Sequence, residues 1–151
     1  MTTNRSGGDF LSRKNEVSHL GKKLPKLQNI LIVEDDVCDS DRLRATLRVV
    51  LGYDFAVRVA ATLGSALDCV IAQKPELIFL DDLLKPSDTA SHTIPFLRRA
   101  DYTGPVIVIS GQVTRNRRAE LVALGASDVI HKDDVDSVRV TEALARVYKV
   151  T

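Results

Sequence analysis

From Asn29 onward, short apolar runs alternate with amphipathic stretches along the chain. NILIV is a β-branched run that ends in EDD, and SDRLRATLRVVLG then sets Leu43, Leu47 and Val50 at helical spacing. Gly52 closes that stretch as a C-terminal cap. FAVRVA predicts a second strand, LGSALDCVIAQK a second helix stopped before Pro75, and ELIFL a third strand. IPFLRRA suits a helix with Pro95 near its start, GPVIVIS a fourth strand, and RNRRAELVALG a helix capped by Gly125. SDVIH and VDSVRVTEALARVY give a fifth strand and a last helix. Strands this uniformly apolar are buried on both faces, as when helices cover both sides of a parallel sheet. The expected fold is therefore α/β: a doubly wound five-stranded parallel sheet with five helices.

The 151 residues, 44% of them apolar and 27% charged, fit one soluble domain with one tail. No run approaches the roughly 20 apolar residues of a membrane span. The first 28 residues lack the apolar core of a secretory signal, so a cytoplasmic protein without a membrane role is expected. The net charge of +1 conceals an asymmetry. Residues 1–28 carry six Lys/Arg against two Asp/Glu, and residues 29–151 carry 15 against 18. The expected division is a basic, solvated, flexible tail over 1–28 and a folded domain over 29–151. Cys38 and Cys69 have no metal-type spacing and are expected to be reduced thiols packed as small hydrophobes.

Ligands of an open parallel sheet gather beyond the carboxyl ends of the strands, where strand order reverses. Glu34, Asp35 and Asp36 follow the first strand, Asp81 and Asp82 the third, Ser110 and Gly111 the fourth, and Lys132 the fifth. With strand order 2-1-3-4-5, the first and third strands are neighbours and their carboxylates converge. Crowded carboxylates repel one another, and a hard divalent cation such as Mg2+ offsets that repulsion. A hydroxyl at Ser110 and an ammonium at Lys132 suit the oxygens of a transferred phosphoryl group. A carboxylate can itself be the nucleophile, forming an aspartyl phosphate. Asp36, Asp39 and Asp88 are read instead as helix caps and turn residues.

These stretches bring residues 29–150 into resemblance with the receiver domain of bacterial response regulators, carried by ILIVEDD, KPELIFLDDLLKP, PVIVISG and GASDVIHKDD. The resemblance implies that Glu34 and Asp35 are the acidic metal pair, Ser110 the hydroxyl that senses the phosphoryl group, and Lys132 its counter-ion. It implies phosphoryl transfer, dependent on Mg2+, from a sensor histidine kinase or a histidine phosphotransfer protein, followed by slow self-catalysed hydrolysis. Two rulers place the acceptor differently. Counting six residues from Pro75 gives Asp81, whereas counting back four from Pro86 gives Asp82. The strand is the stiffer ruler, because a slip of one residue turns every side chain to the opposite face. Asp81 is the expected acceptor, with one extra residue before Pro86, and the backbone carbonyl of Leu83 is then the expected third kind of metal ligand.

The chain also departs from the family. Asp133 stands where a proline usually follows the lysine, and Val129 where an aromatic switch residue is usual. Output is expected instead through the loop and helix after Ser110. His131 is expected to point away from the Lys132 side, and the arginines at 115, 117 and 118 to form a solvated helix face. The expected function is a stand-alone receiver in a two-component phosphorelay, acting on a downstream protein target or relaying phosphate as a monomer or weak homodimer. The alternative is a pseudo-receiver that binds partners without being phosphorylated. No nucleic-acid partner is expected, since no recognition helix of a DNA-binding motif is evident. A flavodoxin-like reading fails because EDD would repel a phosphate after the first strand.

Overall fold

The computed structural model describes residues 13–15, 17–85 and 87–151. Five strands, β1 (Asn29–Val33), β2 (Ala56–Ala60), β3 (Leu77–Asp81), β4 (Val106–Ser110) and β5 (Asp128–His131), pair in parallel in the order β2-β1-β3-β4-β5. This is the expected order. The helices between and after them are α1 (Val37–Leu51), α2 (Leu63–Ala72), α3 (Ala90–Arg99), α4 (Arg115–Ala123) and α5 (Ser137–Val147). A two-residue antiparallel ladder joins Leu83–Leu84 to Asp88–Thr89, and a 3-10 turn spans Lys132–Asp134.

Strand alternation divides the interior into two layers. Leu31, Val33, Ile78, Leu80, Val106, Val108 and Val129 face α2, α3 and α4, which contribute Val70, Ile94, Leu97 and Leu121. Ile30, Ile32, Leu77, Phe79, Ile107, Ile109 and Ile130 face α1 and α5, with Leu43, Leu47, Val140 and Leu144. Each fully buried aliphatic side chain stabilises the fold by about 1.5–3 kcal/mol relative to exposure. Helices α1, α2, α4 and α5 start on side-chain caps. Asp36 accepts from the Asp39 N–H, Thr62 and Ser65 form a reciprocal capping box, and Asp136 accepts from the Arg139 N–H. Gly52 and Gly125 follow α1 and α4 at φ of 87° and 111°, a region glycine enters without steric penalty.

Three expectations change. Helix α3 begins at Ala90, ahead of Pro95, which lies inside it. The Ala90 N–H donates to the Asp82 carbonyl (2.8 Å) and carboxylate (3.3 Å), so the residue after β3 anchors the helix. Pro95 resembles a start signal but only removes the N–H that would reach the Ser91 carbonyl. The 1–28 segment is partly structured: residues 17–23 are helical and Val17 and Leu27 are buried. Arg13 pairs with Glu142 of α5, and the Lys23 ammonium donates to the Thr151 carbonyl at 3.0 Å. The expected flexibility of residues 1–12 concerns positions outside the described residues. Cys38 is exposed rather than packed, whereas Cys69 is partly buried.

One buried charge supports the far edge of the sheet. The Asp128 side chain is completely buried, and Arg118, Arg139 and Arg146 reach it at 3.0, 3.1 and 3.3 Å. Burial alone would raise this carboxyl, but hydrogen bonds and charge from Arg139, with help from the Val129 N–H and Arg118, hold it below the ordinary aspartate range. Among the described residues, no helix is long and apolar enough to cross a membrane.

Candidate functional site

Because β1 and β3 pair directly, their carboxyl ends deliver Glu34, Asp35 and Asp81 to one place. One carboxylate oxygen from each lies within 4.8 Å of the others. Glu34 and Asp81 are buried and Asp35 is half-buried. Local backbone donors orient them. The Asp36 N–H donates to Glu34 at 3.2 Å, the Leu83 N–H to Asp81 at 3.3 Å, and the Lys85 N–H to Asp35 at 3.3 Å. Burial raises the Glu34 carboxyl far above the usual carboxylate range, and the adjoining Asp81 adds to that rise. Three hard oxygen donors crowded to this degree fit a small divalent cation with open positions for water and phosphate oxygens.

Lys132, first residue of the turn after β5, brings its ammonium within 3.3 Å of Asp81 and 3.7 Å of Asp39. Partial burial would lower this amine, but Asp81, Glu34 and Asp39 together raise it, so the group is a fixed cation. Asp39, read from sequence as a cap or turn residue, therefore also faces the site. Its place in the first turn of α1 was the available signal, since that turn leans over the end of β1.

The second half of the site is built around Asp82. Residues one apart on an extended chain point to opposite faces, so Asp81 and Asp82 have different neighbours. The Asp82 N–H donates to the Ile109 carbonyl at 2.9 Å, continuing the β3–β4 pairing by one residue. The Ser110 hydroxyl donates to the Asp82 carboxylate at 2.8 Å and accepts from the Gln112 N–H at 3.0 Å. Arg117 grips the same carboxylate as a two-pronged fork, with Nε at 3.0 Å from one oxygen and Nη2 on the other. Desolvation would raise the Asp82 carboxyl, but Arg117 and Ser110 hold it below its ordinary value. Arg117 also donates to Ser91 of α3 at 2.7 Å and pairs with Glu120.

The solvated arginine face is thus corrected. Arg117 and Arg118 are committed to buried or half-buried carboxylates, and Arg115 alone of the three is exposed. An open cavity is lined by Asp81, Asp82, Ser110, Arg117 and Lys132, together with Leu83 and Gly111. A side chain at Gly111 would meet nothing within 4 Å, so the approach past Ser110 is clear. Val129 is buried in the α2–α4 core layer, and His131 accepts from the Asp133 N–H, fixing the turn that carries Lys132.

A model of the response regulator receiver domain matches residues 30–145 of the sequence. A search of curated proteins finds no match. Among solved structures, the chain is similar to the signal receiver domain of a DNA-binding response regulator from Colwellia psychrerythraea 34H. That pair shows a TM-score of 0.69 at 24% identity, over 81% of this chain and 98% of that one. It is similar to a response regulator protein from Burkholderia pseudomallei containing a phosphorylated aspartic acid, a calcium ion and citrate, with TM-score 0.67 and 24% identity over 78% and 66% of the two chains. NtrX from Brucella abortus gives a TM-score of 0.71 at 25% identity over 82% of this chain and 27% of that one. With the expected sheet order, an acidic cluster where two neighbouring strands end, and a family match over most of its length, this chain belongs to the response regulator receiver domain family.

Proposed function

We propose that the protein receives a phosphoryl group on Asp81 from the phosphohistidine of a sensor kinase or histidine phosphotransfer protein. One observation carries the reading: Asp81 shares its space with Glu34 and Asp35 and lies 3.3 Å from Lys132. Glu34, Asp35, Asp81 and the Leu83 carbonyl are the residues that would hold Mg2+. When bound, that ion offsets the charge of the approaching phosphoryl oxygens. In the transfer, an Asp81 carboxylate oxygen attacks phosphorus, the phosphorus–nitrogen bond breaks, and its electron pair returns to the imidazole ring. Lys132 balances the growing charge on one phosphoryl oxygen, and Ser110 supplies a hydrogen bond to another. In hydrolysis, water attacks the phosphorus, the bond to Asp81 oxygen breaks, and the carboxylate is regenerated with inorganic phosphate.

The outcome is signalling by phosphorylation-dependent binding of a protein target or by onward relay, in the cytoplasm where the kinase domain works. A second reading, an interaction module that is never phosphorylated, draws support from Val129, Asp133 and the engagement of Ser110 by Asp82. Incubation with acetyl phosphate and Mg2+, followed by intact-mass spectrometry, separates the two. Addition of one phosphoryl group, lost in Asp81→Ala and retained in Asp82→Ala, is the expected result. No labelling of the unmodified protein would establish the second reading, and labelling lost only in Asp82→Ala would move the acceptor.

A further inference from the structure

Asp82 has no role in the chemistry proposed above, yet it holds two groups that border the acceptor. Ser110 has one hydroxyl proton, and of its two acceptors the charged Asp82 carboxylate at 2.8 Å is nearer than the Gln112 carbonyl at 3.1 Å. To donate to a phosphoryl oxygen on Asp81, Ser110 must leave Asp82. Arg117 lines the same cavity as Asp81 and Lys132, and four hydrogen bonds from its guanidinium are divided among Asp82, Ser91 and Glu120. On phosphorylation the Asp81 carboxylate charge of −1 gives way to a phosphoryl charge of roughly −1.5 to −2, carried by three acceptor oxygens that reach further into the cavity shared with Asp82. Two anions on consecutive residues then compete for one hydroxyl and one guanidinium.

We propose that Asp82 and Arg117 are the switch pair of this receiver: Asp82 stores Ser110 and Arg117 while Asp81 is free, and Arg117 turns to the phosphoryl oxygens as a second cation beside Lys132 once Asp81 is modified. The proposal rests on Asp81 as acceptor. It explains how the chain manages with Val129 at the aromatic position. The signal travels through an ion pair rather than through an aromatic side chain. Arg117 of α4 donates to Ser91 of α3, and Ser91 in turn donates to Glu120 of α4 at 2.7 Å, so the departure of Arg117 removes one of these two hydrogen bonds between the helices and loosens their contact. Asp82 is a positioning residue in this scheme, and Arg117 a specificity-giving phosphoryl ligand.

Beryllofluoride, a non-hydrolysed phosphoryl mimic, with Mg2+ provides the test, with affinity read by calorimetry and α4 mobility by amide exchange. Asp82→Asn removes the competing charge but keeps an acceptor for the Ala90 N–H, so the α3 cap survives. It is expected to tighten beryllofluoride binding about tenfold, a change of about 1.4 kcal/mol. Arg117→Gln is expected to weaken binding about tenfold. Arg117→Lys restores part of that loss, and Arg117→Gln in the Asp82→Asn background cancels the gain. In the unmodified protein the mimic increases exchange at the start of α4, and in Arg117→Gln it does not. Affinities within twofold across these variants, with unmodified protein binding the mimic and each variant melting cooperatively, would overturn the switch pair alone. Failure of the unmodified protein to bind would overturn the phosphoacceptor reading and the switch with it.

Discussion

At the scale of single residues, the molecule places its charges by pairing rather than by exposure. Asp128 is the clearest case, a fully buried carboxylate answered by three arginines. Its folded pKa lies below the ordinary aspartate value, so its contribution to stability is present above about pH 4 and disappears as pH falls through the depressed folded value. Asp128→Asn is expected to cost about 1–3 kcal/mol at neutral pH, because charged hydrogen bonds are lost and the arginines go uncompensated. Urea midpoints measured from pH 2 to 7 check this. The variant should show a flatter acid limb, and equal slopes would refute the assignment. Residue-level reading of the sequence reached Glu34, Asp35, Asp81 and Lys132, because each terminates an apolar strand and strands have a fixed period. It missed Asp39 and Arg117. Both sit on helices, where a long or short side chain reaches the site only through a packing angle that sequence does not encode. Three arginines in one stretch look alike until the sheet gives two of them carboxylates.

At the scale of elements, the five strands of the parallel sheet were legible from short β-branched runs bounded by turn signals, whereas the two-residue ladder between Leu83–Leu84 and Asp88–Thr89 carries no such signal. The start of α3 was not legible either. TASHT lacks an apolar period, and the helix begins there because Asp82, just after the β3 strand, supplies a carbonyl and a carboxylate to its first N–H. Tertiary anchoring overrode a local signal. The connection from α3 to β4 shows a tighter constraint. A Cβ on Gly104 would lie 2.5 Å from the hydroxyl oxygen of Tyr102, whose ring is buried and whose hydroxyl donates to the Pro105 carbonyl at 2.7 Å. Gly104→Ala is expected to cost about 1–3 kcal/mol by overpacking. Gly111→Ala, facing open space, should remain within about 0.5 kcal/mol of the parent. Thermal melts of the two variants compare them directly, and a Gly104→Ala melt equal to the parent would show that Tyr102 moves aside freely.

At the scale of the whole molecule, a sheet with two apolar layers carries an acidic end whose charges oppose folding until they are balanced. Three converging acidic groups face the Lys132 ammonium among the described residues, and burial together with their mutual repulsion keeps the Glu34 proton bound until a cation takes its place. A cation that binds the folded chain alone therefore raises its stability by mass action. At a hundredfold excess over Kd the gain is about 2.7 kcal/mol, or roughly 5–10 °C in Tm for a chain of this size. Differential scanning calorimetry with Mg2+ and then with EDTA checks it. The increase should reverse on chelation and be absent in Glu34→Gln. An identical increase in that variant would place the ion elsewhere.

The meeting of Lys23 with Thr151 has a practical corollary. Thr151 follows α5, and Tyr148 at the end of that helix lines a cavity with Pro75 and Glu76, just before β3 begins. The seam thus lies toward the end where the strands begin, away from the strand ends that carry the carboxylate cluster. A short covalent bridge between residues 23 and 151 would brace the molecule at its base while leaving the opposite rim uncovered. A dye or surface tether fixed at that seam would report on encounters at the rim without obstructing them.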